Sequence, residues 1–373
     1  GCFRICRCGR TCFTGAGSVA GTARDHVWVL IIGLVFLPLL TLQDLEGKLF
    51  GPVALTIVMA LGASLVLSLS VIPVLASMLL QPQGAHEPRW MQRLTHLYAR
   101  ARDAAWARAR GPDGLAVVLT GTDLYHDIFR DRDAKRSLEL ARHLVVLQEQ
   151  GPASVPLPSR AKTRVIFQST PAREPAAKAR RWLRVACVGH MRSVKSPQTL
   201  MQAARLLNGQ GGIRIDHIGD ALAPEWAEAA LGTELDAPHY RWLGALTHGQ
   251  ALRAIRRAHL LVNTSAMEGG AHVVMEAIRS GTPVLASRVG GNVGMLGAGY
   301  EGYFPHDDGE ALARLLARCR DEQGDPEGLP ARLARQCALR ASLFEPEAER
   351  AALMRLMGEL TQAPSPEHTR PLA

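Results

Sequence analysis

Two glutamates eight residues apart carry the most specific chemical pattern in the chain. In MEGGAHVVMEAIRSGTPVLAS, Glu268 follows an apolar strand pattern, and Gly269, Gly270 and Ala271 lead into a helix pattern. Free N–H groups at such a helix start attract phosphate, and glycine lets a phosphate approach the backbone closely. Within the helix, Glu276 can accept two hydrogen bonds from the vicinal diol of a ribose. The alternative is a solvated helix residue at Glu276 and a simple helix cap at Glu268.

A second element, GHMRSVKSP, supplies positive charge. Gly189 ends a strand pattern, His190 follows directly, and Arg192 and Lys195 come three and six residues after the glycine. Two cations at the end of a sheet can neutralise a diphosphate leaving group, the main electrostatic task in transferring a sugar from a nucleotide sugar. The alternative, two basic residues at a helix start, is unfavourable beside the positive end of a helix.

Other polar positions are weaker candidates, each with a structural alternative. Asp123, in TGTDLYHD, ends a strand pattern and is a candidate acceptor contact or an Asx-turn residue. His272 stands beside the double glycine and is either a candidate sugar contact or an ordinary structural histidine. Arg288, Gly290 and Asn292 follow the next strand and either close over a donor or form a loop without ligand contact.

The elements that must position these residues alternate between strand and helix patterns from Gly111 onward. A first set begins at Leu115–Thr120, a junction rich in Pro, Ala, Arg and Lys spans Gly151–Arg181, and a second set begins at LRVACVGH. Such alternation predicts parallel, doubly wound sheets. In the second set each apolar run stops at small or polar residues, including Gly189 and Ser265. Ligands bind at that end of an open α/β sheet.

The first third of the chain is different in character. Residues 1–110 carry 11 Lys/Arg against 5 Asp/Glu, although residues 27–42 and 50–80 have no charge at all. These apolar runs predict a transmembrane helical hairpin within 27–80, and a buried core helix is the alternative for each run. Because the basic residues flank the hairpin, both its ends are expected in the cytoplasm, with the α/β part cytoplasmic at the inner membrane.

Four cysteines near the start, Cys2, Cys6, Cys8 and Cys12, do not have the spacing usual for zinc. We therefore interpret residues 1–26 as an unstructured basic tail and expect no metal and no cofactor. The net charge of +9 does not indicate nucleic-acid binding, because the basic residues are scattered without interleaved aromatic ones.

The stretches LEGKLFGPVALT and SLSVIPVLASMLL resemble efflux pumps of the heavy-metal resistance-nodulation-division type, over about residues 27–105. The resemblance implies one pair of membrane helices and a short amphipathic cytoplasmic helix at about Arg89 to Arg108. Since the two apolar runs contain no ionisable residue, they hold no proton relay, and this segment is not expected to pump anything by itself.

The E-x7-E pair and the strand-G-x5-K element resemble glycosyltransferases of the GT-B fold, family 4-like. In that family the first Glu lies by the donor sugar, the second binds the ribose and a cationic pair holds the diphosphate. The resemblance thus implies a UDP-sugar donor, catalytic roles for Glu268, Lys195 and Arg192, and a ribose contact at Glu276. The family usually has Arg directly after the glycine; here it is His190, and Arg192 is the candidate for the missing charge.

Within residues 111–360, LTGTDLYHDI, IDHIGDAL and GYEGYF resemble the subgroup that contains selenosugar synthases, which implies selenophosphate as the small-molecule acceptor. The expected organisation is a tail (1–26), a membrane fragment (27–110), a truncated GT-B N-terminal remnant with linker (111–180), a complete nucleotide-sugar-binding domain (181–360) and a tail (361–373). We hypothesise a chimera of two unrelated fragments. Since the remnant lacks much of the acceptor side, weak or absent turnover is expected.

Overall fold

The computed structural model describes residues 4–7, 114–179 and 181–361. These residues belong to one compact unit. The predicted transmembrane hairpin and the amphipathic helix that follows it lie outside the described residues, and both stay predictions. Within the described ranges, no helix combines the length and the apolar character needed to cross a bilayer.

The first sheet contains four parallel strands in the order β1-β2-β3-β4. Their bounds are Arg4–Arg7, Leu115–Leu119, His143–Val146 and Thr163–Val165. A π-helical turn, Asp123–Asp127, follows β2 and leads into short helix α1, Ile128–Arg130. Helix α2, Arg132–Leu140, begins with Asp131, whose side chain caps the N–H of Asp133. Helix α3, Gly151–Ser154, connects β3 towards β4.

The second sheet has six parallel strands in the order β10-β9-β8-β5-β6-β7. Its strands are β5 Leu183–Val188, β6 Ile213–Ile218, β7 Tyr240–Trp242, β8 Leu260–Asn263, β9 Val284–Ser287 and β10 Tyr303–Phe304. The helices between and after them are α4 Pro197–Leu206, α5 Pro224–Asp236, α6 His248–Arg257, α7 His272–Arg279, α8 Gly290–Leu296, α9 Gly309–Asp321, α10 Leu329–Arg340 and α11 Pro346–Thr361. The strand order reverses between β5 and β8, which places the topological switch point there.

Each sheet has its own core. The larger apolar cluster surrounds β5, β6, β8 and β9 and includes fully buried Leu200, Val274 and Phe304. One face of the first sheet packs against the helices that follow its own strands. The other face receives α11, whose Leu356 and Leu360 are buried with Ala116, Val145 and Ile166. The last helix therefore completes the core of the first sheet rather than that of the second.

The predicted alternation of strands and helices agrees with the described elements, with two differences of detail. The tail that we interpret as unstructured contains β1, which pairs in parallel with β2 from Arg4 opposite Leu115 to Arg7 opposite Val118. The sequence predicts a helix over Pro224–Leu231, but α5 continues to Asp236. Thr233 in the added turn is fully buried and donates its hydroxyl to the carbonyl of Ala229, which favours continuation.

Candidate functional site

The switch point of the second sheet brings the predicted cation and the predicted carboxylate together. Lys195 lies in the loop after β5 and Glu268 in the loop after β8, and these two strands are neighbours. Lys195 Nζ donates to Glu268 Oε1 at 2.6 Å. The lysine side chain is 27% exposed and the glutamate side chain 9%. A largely buried ion pair thus stands where open α/β sheets bind ligands.

Two neutral donors complete the surroundings of the Glu268 carboxylate. Ser265 Oγ donates to the same Oε1 at 2.6 Å, and Asn263 Nδ2 approaches it at 3.4 Å. Asn263 also contacts Asn292 Oδ1 at 3.4 Å. The sequence pattern does not identify Asn263 as a site residue; the available signal is a buried amide at the last position of an apolar strand. A carboxylate held by three donors keeps a defined orientation.

The loop that carries Lys195 is held by an unusual backbone conformation. Ser196 has φ 43° and Asp307 has φ 64°, and these are the two described non-glycine residues with positive φ. Ser196 Oγ lies 2.9 Å from His306 Nε2, and Asp307 Oδ1 accepts from Thr199 Oγ1 at 3.0 Å. Since αL conformations cost energy for side-chain-bearing residues, these contacts stabilise the turn that positions Lys195.

A small cleft opens at this end of the sheet, lined by Gly189, His190 and Lys195 among others. His190 Nδ1 accepts from the backbone N–H of Asp220 at 3.0 Å, so the neutral ring carries its proton on Nε2. Arg192, the candidate for the missing charge, is exposed and is not part of the lining, and its side chain makes no polar contact with the described residues. Of the residues after Gly189, the structure therefore brings His190 and Lys195 to the cleft, but not Arg192.

The double glycine has a different environment from the predicted phosphate cradle. A Cβ on Gly269 would lie 2.2 Å from the backbone N of Gly121, and one on Gly270 would lie 2.7 Å from Leu147 Cβ. Both glycines therefore pack against the first sheet. Ala271 occupies the N-cap position of α7 without a capping hydrogen bond; it is buried, and its N–H donates to Met295 Sδ at 3.0 Å. The close approach that requires glycine here is one between two parts of the chain.

Glu276 lies on α7 with its side chain 8% exposed. His248, at the start of α6, donates from Nε2 to Glu276 Oε1 at 2.6 Å, and His272 Nδ1 lies 3.3 Å from the same oxygen. Burial alone would raise the pKa of Glu276, but the hydrogen bonds from His272 and His248 outweigh it and hold that pKa below its ordinary value. The hydrogen bond to Glu276 raises the pKa of His272 in turn.

The remaining candidates have structural partners. Asp123 is buried, and its carboxylate accepts from the N–H of Thr120 at 2.9 Å and from Thr120 Oγ1 at 2.6 Å. It thus bonds back to a residue three positions earlier, as in a capping box, and not to a later residue as in the predicted Asx turn. Asn292 is buried and donates to the carbonyl of Ser287. The Arg288 guanidinium lies over the ring of Tyr303, 5.5 Å from its centroid.

Beneath the cleft, His217 is buried against Tyr240, with 2.8 Å between Nδ1 and the hydroxyl. Burial lowers the pKa of His217 to about 4 and raises the pKa of the neighbouring Cys187 to about 12. Both groups are therefore neutral near pH 7. In the described part of the chain, no three His, Cys, Asp or Glu side chains are grouped as a metal ion would require.

Solved structures with a similar fold include an enzyme and a complex with a nucleotide sugar. Sucrose-phosphate synthase from Thermosynechococcus elongatus superposes with a TM-score of 0.57 at 20% identity, over 74% of this chain and 80% of that one. HepE of Anabaena, solved with UDP-glucose, gives a TM-score of 0.55 at 15% identity, over 70% and 76%. At these identities the likeness shows an α/β, GT-B-like fold.

Curated relatives match the two parts of the chain separately. D-inositol 3-phosphate glycosyltransferase of Corynebacterium glutamicum is 31% identical over 144 residues, 35% of this chain and 34% of that protein. The nickel and cobalt resistance protein CnrA of Cupriavidus metallidurans is 43% identical over 56 residues, 15% of this chain and 5% of that protein. The chain thus spans about a third or less of the length of these relatives.

Two family models match along the chain, without a common segment. The AcrB/AcrD/AcrF family matches residues 15–120, and glycosyl transferases group 1 matches residues 171–336. The second range contains Lys195, Glu268 and Glu276, and the strands whose ends form the cleft. Over residues 171–336 the chain is therefore similar to the glycosyl transferases group 1 family, and over residues 15–120 it is similar to the AcrB/AcrD/AcrF family.

Proposed function

We propose that the described unit binds a UDP-sugar and transfers its sugar to a small acceptor. The observation that carries the proposal is the Lys195–Glu268 ion pair, 2.6 Å long, at the switch point of the six-stranded sheet. A lysine at this place can neutralise the charge that develops on a departing diphosphate. The complex of HepE with UDP-glucose, on the same fold, supports this donor class.

Each residue of the site is assigned a different part of the donor. Lys195 binds the diphosphate, Glu276 accepts hydrogen bonds from the ribose diol, and Glu268, beside the lysine, faces the sugar. His190, with Nε2–H directed away from its bond to Asp220, can donate to a phosphate oxygen in the cleft. Because it is the lining residue next to Gly189, we assign it the position for which the sequence suggests Arg192.

For the acceptor we propose selenophosphate. The supporting observation is the resemblance of the segments around Thr122, Asp220 and Tyr303 to selenosugar synthases. In the reaction, selenium attacks the anomeric carbon, the C–Se bond forms, the bond from that carbon to the diphosphate oxygen breaks, and UDP leaves with the electron pair. Since the Asp123 carboxylate already accepts two hydrogen bonds from Thr120, we do not assign Asp123 a contact with the acceptor substrate.

The efflux-like segment does not support an independent transport function. Its relatives include CnrA, of which this chain matches 5% of the length. The matches of two parts of the chain to different families support the hypothesis of two joined fragments. Membrane association through 27–80 is part of the same proposal.

Calorimetry of the full chain with UDP-glucose tests the donor site. Lys195→Met should weaken binding by about 10- to 150-fold, because it removes a charge-assisted contact worth about 1.5–3 kcal/mol. Lys162→Met is the matched control, since Lys162 Nζ donates to the carbonyls of Glu139 and Ala141 on the first sheet. UDP release on adding selenophosphate then tests transfer. A folded chain that does not bind UDP-glucose, or K195M binding as the parent does, would overturn the proposal.

A further inference from the structure

The carboxylate assigned to the ribose is already occupied by two imidazoles. His248 and His272 belong to different helices, α6 and α7, and both contact Glu276 Oε1, at 2.6 and 3.3 Å. Their side chains are 71% and 53% exposed, whereas that of Glu276 is 8% exposed. Two solvent-facing histidines therefore cover one buried carboxylate. Exposed histidines are free to move, and the buried carboxylate is not.

The contacts are distributed unevenly over the two oxygens. A carboxylate has about four lone-pair sites, two on each oxygen. Two donors fill Oε1, and no described residue bonds Oε2. A vicinal diol that engages both oxygens must displace one donor from Oε1. His272 holds Oε1 more weakly than His248 does, because its 3.3 Å contact is the longer of the two.

Other charges near the pair come from the elements packed around α7. The carboxylate of Glu349, on α11, favours the charged form of His272, and it is itself bonded to Ser169. Strands β8 and β9 carry no charged residue within their bounds. The remaining charged side chains on α6, α7 and α10 include several with partners of their own, namely Arg256 with the carbonyl of Glu174, Arg279 with Glu345, Arg332 with Glu301, Arg335 with Glu327 and Arg340 with Glu149.

We propose that His272 is a latch on Glu276 that the nucleotide diol displaces, so that donor binding releases a proton, while His248 remains and positions the carboxylate. The inference rests on the proposed donor site and adds a regulation to it: affinity for the nucleotide increases with pH. His248 is a positioning residue, since it acts on the ligand through Glu276.

The direction of this pH dependence follows from the protonation states of His272 before and after donor binding. In the unliganded chain Glu276 raises the pKa of His272 above its ordinary value of 6.5. Displacement from Glu276 returns the pKa towards that value. At a pH between these two pKa values, His272 is charged before binding and neutral after it, so a proton is released. Well below 6.5 the ring stays charged in both states, and well above the raised pKa it is neutral in both, so the release disappears at either extreme.

The test uses UDP-glucose, whose diphosphate does not titrate in this range, and calorimetry in buffers of different ionisation enthalpy. Release should approach one proton within the window, with affinity increasing by up to about tenfold per pH unit. His272→Ala should abolish the release and bind more tightly than the parent at pH 6. His126→Ala is the matched control, an exposed histidine paired with Asp127 at 2.9 Å. His248→Ala should weaken binding and keep the release.

A titration of the unliganded chain by NMR tests the latch without donor. His272 should titrate above 6.5, and Glu276→Gln should return it to the ordinary value. UDP-glucose binding without proton release, or release that persists in H272A, would overturn the latch and leave the donor site intact. An absence of UDP-glucose binding by a chain in which His272 does titrate above 6.5 would refute the donor site, and with it the displacement.

Discussion

The substitution Gly269→Ala distinguishes two interpretations of the double glycine, namely packing against the first sheet and close approach to a phosphate. The built Cβ would lie 2.2 Å from Gly121 N, 2.6 Å from Thr120 C and 2.9 Å from Gly121 Cα. All three atoms are backbone, so no side-chain rotation relieves the contact, and the two segments must separate by about 1 Å to reach normal contact distances. Overpacking of this kind costs about 1–3 kcal/mol.

The assay is urea unfolding of the full chain followed by circular dichroism. With an m-value of about 1–3 kcal/mol/M, the midpoint should fall by about 1 M. Gly358→Ala is the matched control, because a Cβ there meets no atom within 4 Å, and alanine in helix α11 should stabilise by about 0.5–1 kcal/mol. Gly121→Ala should cost less than Gly269→Ala, since its nearest contact is 2.9 Å, and the double variant should be less than additive.

The phosphate-cradle interpretation predicts the opposite pair of results. If the glycines face a ligand, G269A keeps the unfolding midpoint of the parent and loses affinity for UDP-glucose. An unchanged midpoint would therefore refute the packing of Gly269 on Gly121.

Two further predictions concern the turn after Lys195 and the floor of the cleft. Ser196→Ala keeps a side chain at φ 43° and loses the contact with His306, so it should reduce the free energy of unfolding by about 0.5–1.5 kcal/mol. Ser196→Gly also loses that contact but relieves the backbone strain, so it should be more stable than S196A. A less stable glycine variant would contradict this account. The pKa of His217 is about 4 in the folded chain and 6.5 ordinarily, so its contribution is complete above pH 6.5 and is lost as the pH falls towards 4, by up to about 3 kcal/mol. Stability curves of the parent and His217→Gln should diverge over that range, and parallel curves would show that His217 does not titrate differently on unfolding.

The fold of the second sheet could be predicted because its local patterns agree with its tertiary structure. Apolar runs end at Gly189 and Ser265, and these positions are the carboxyl ends of adjacent strands. Strand β1 could not be predicted, because RICR has no alternation of its own and pairs with residues more than 100 positions away. The extension of α5 past Gly232 depends on burial of Thr233, which sequence spacing does not reveal.

The site was predictable to the extent that topology determines it. Lys195 and Glu268 each follow a strand, and neighbouring parallel strands bring their loops together. His248 could not be identified, although its helix start is visible as a capping box between Thr247 and Gln250. Its contact with Glu276 depends on how α6 packs beside α7. The contacts of Gly269 with the first sheet likewise depend on tertiary structure alone.

Helix α11 has a consequence for the order in which the protein can form. Leu356 and Leu360 close the apolar face made by Ala116, Val145 and Ile166. Because synthesis proceeds from the N-terminus, that face stays open to solvent, and to aggregation, until Leu360 has left the ribosome. The six-stranded sheet can assemble before then, as its strands end at Phe304. The first sheet thus precedes most of the second sheet in sequence but is completed after it, and a chain that stopped at residue 336 would leave its apolar face uncovered.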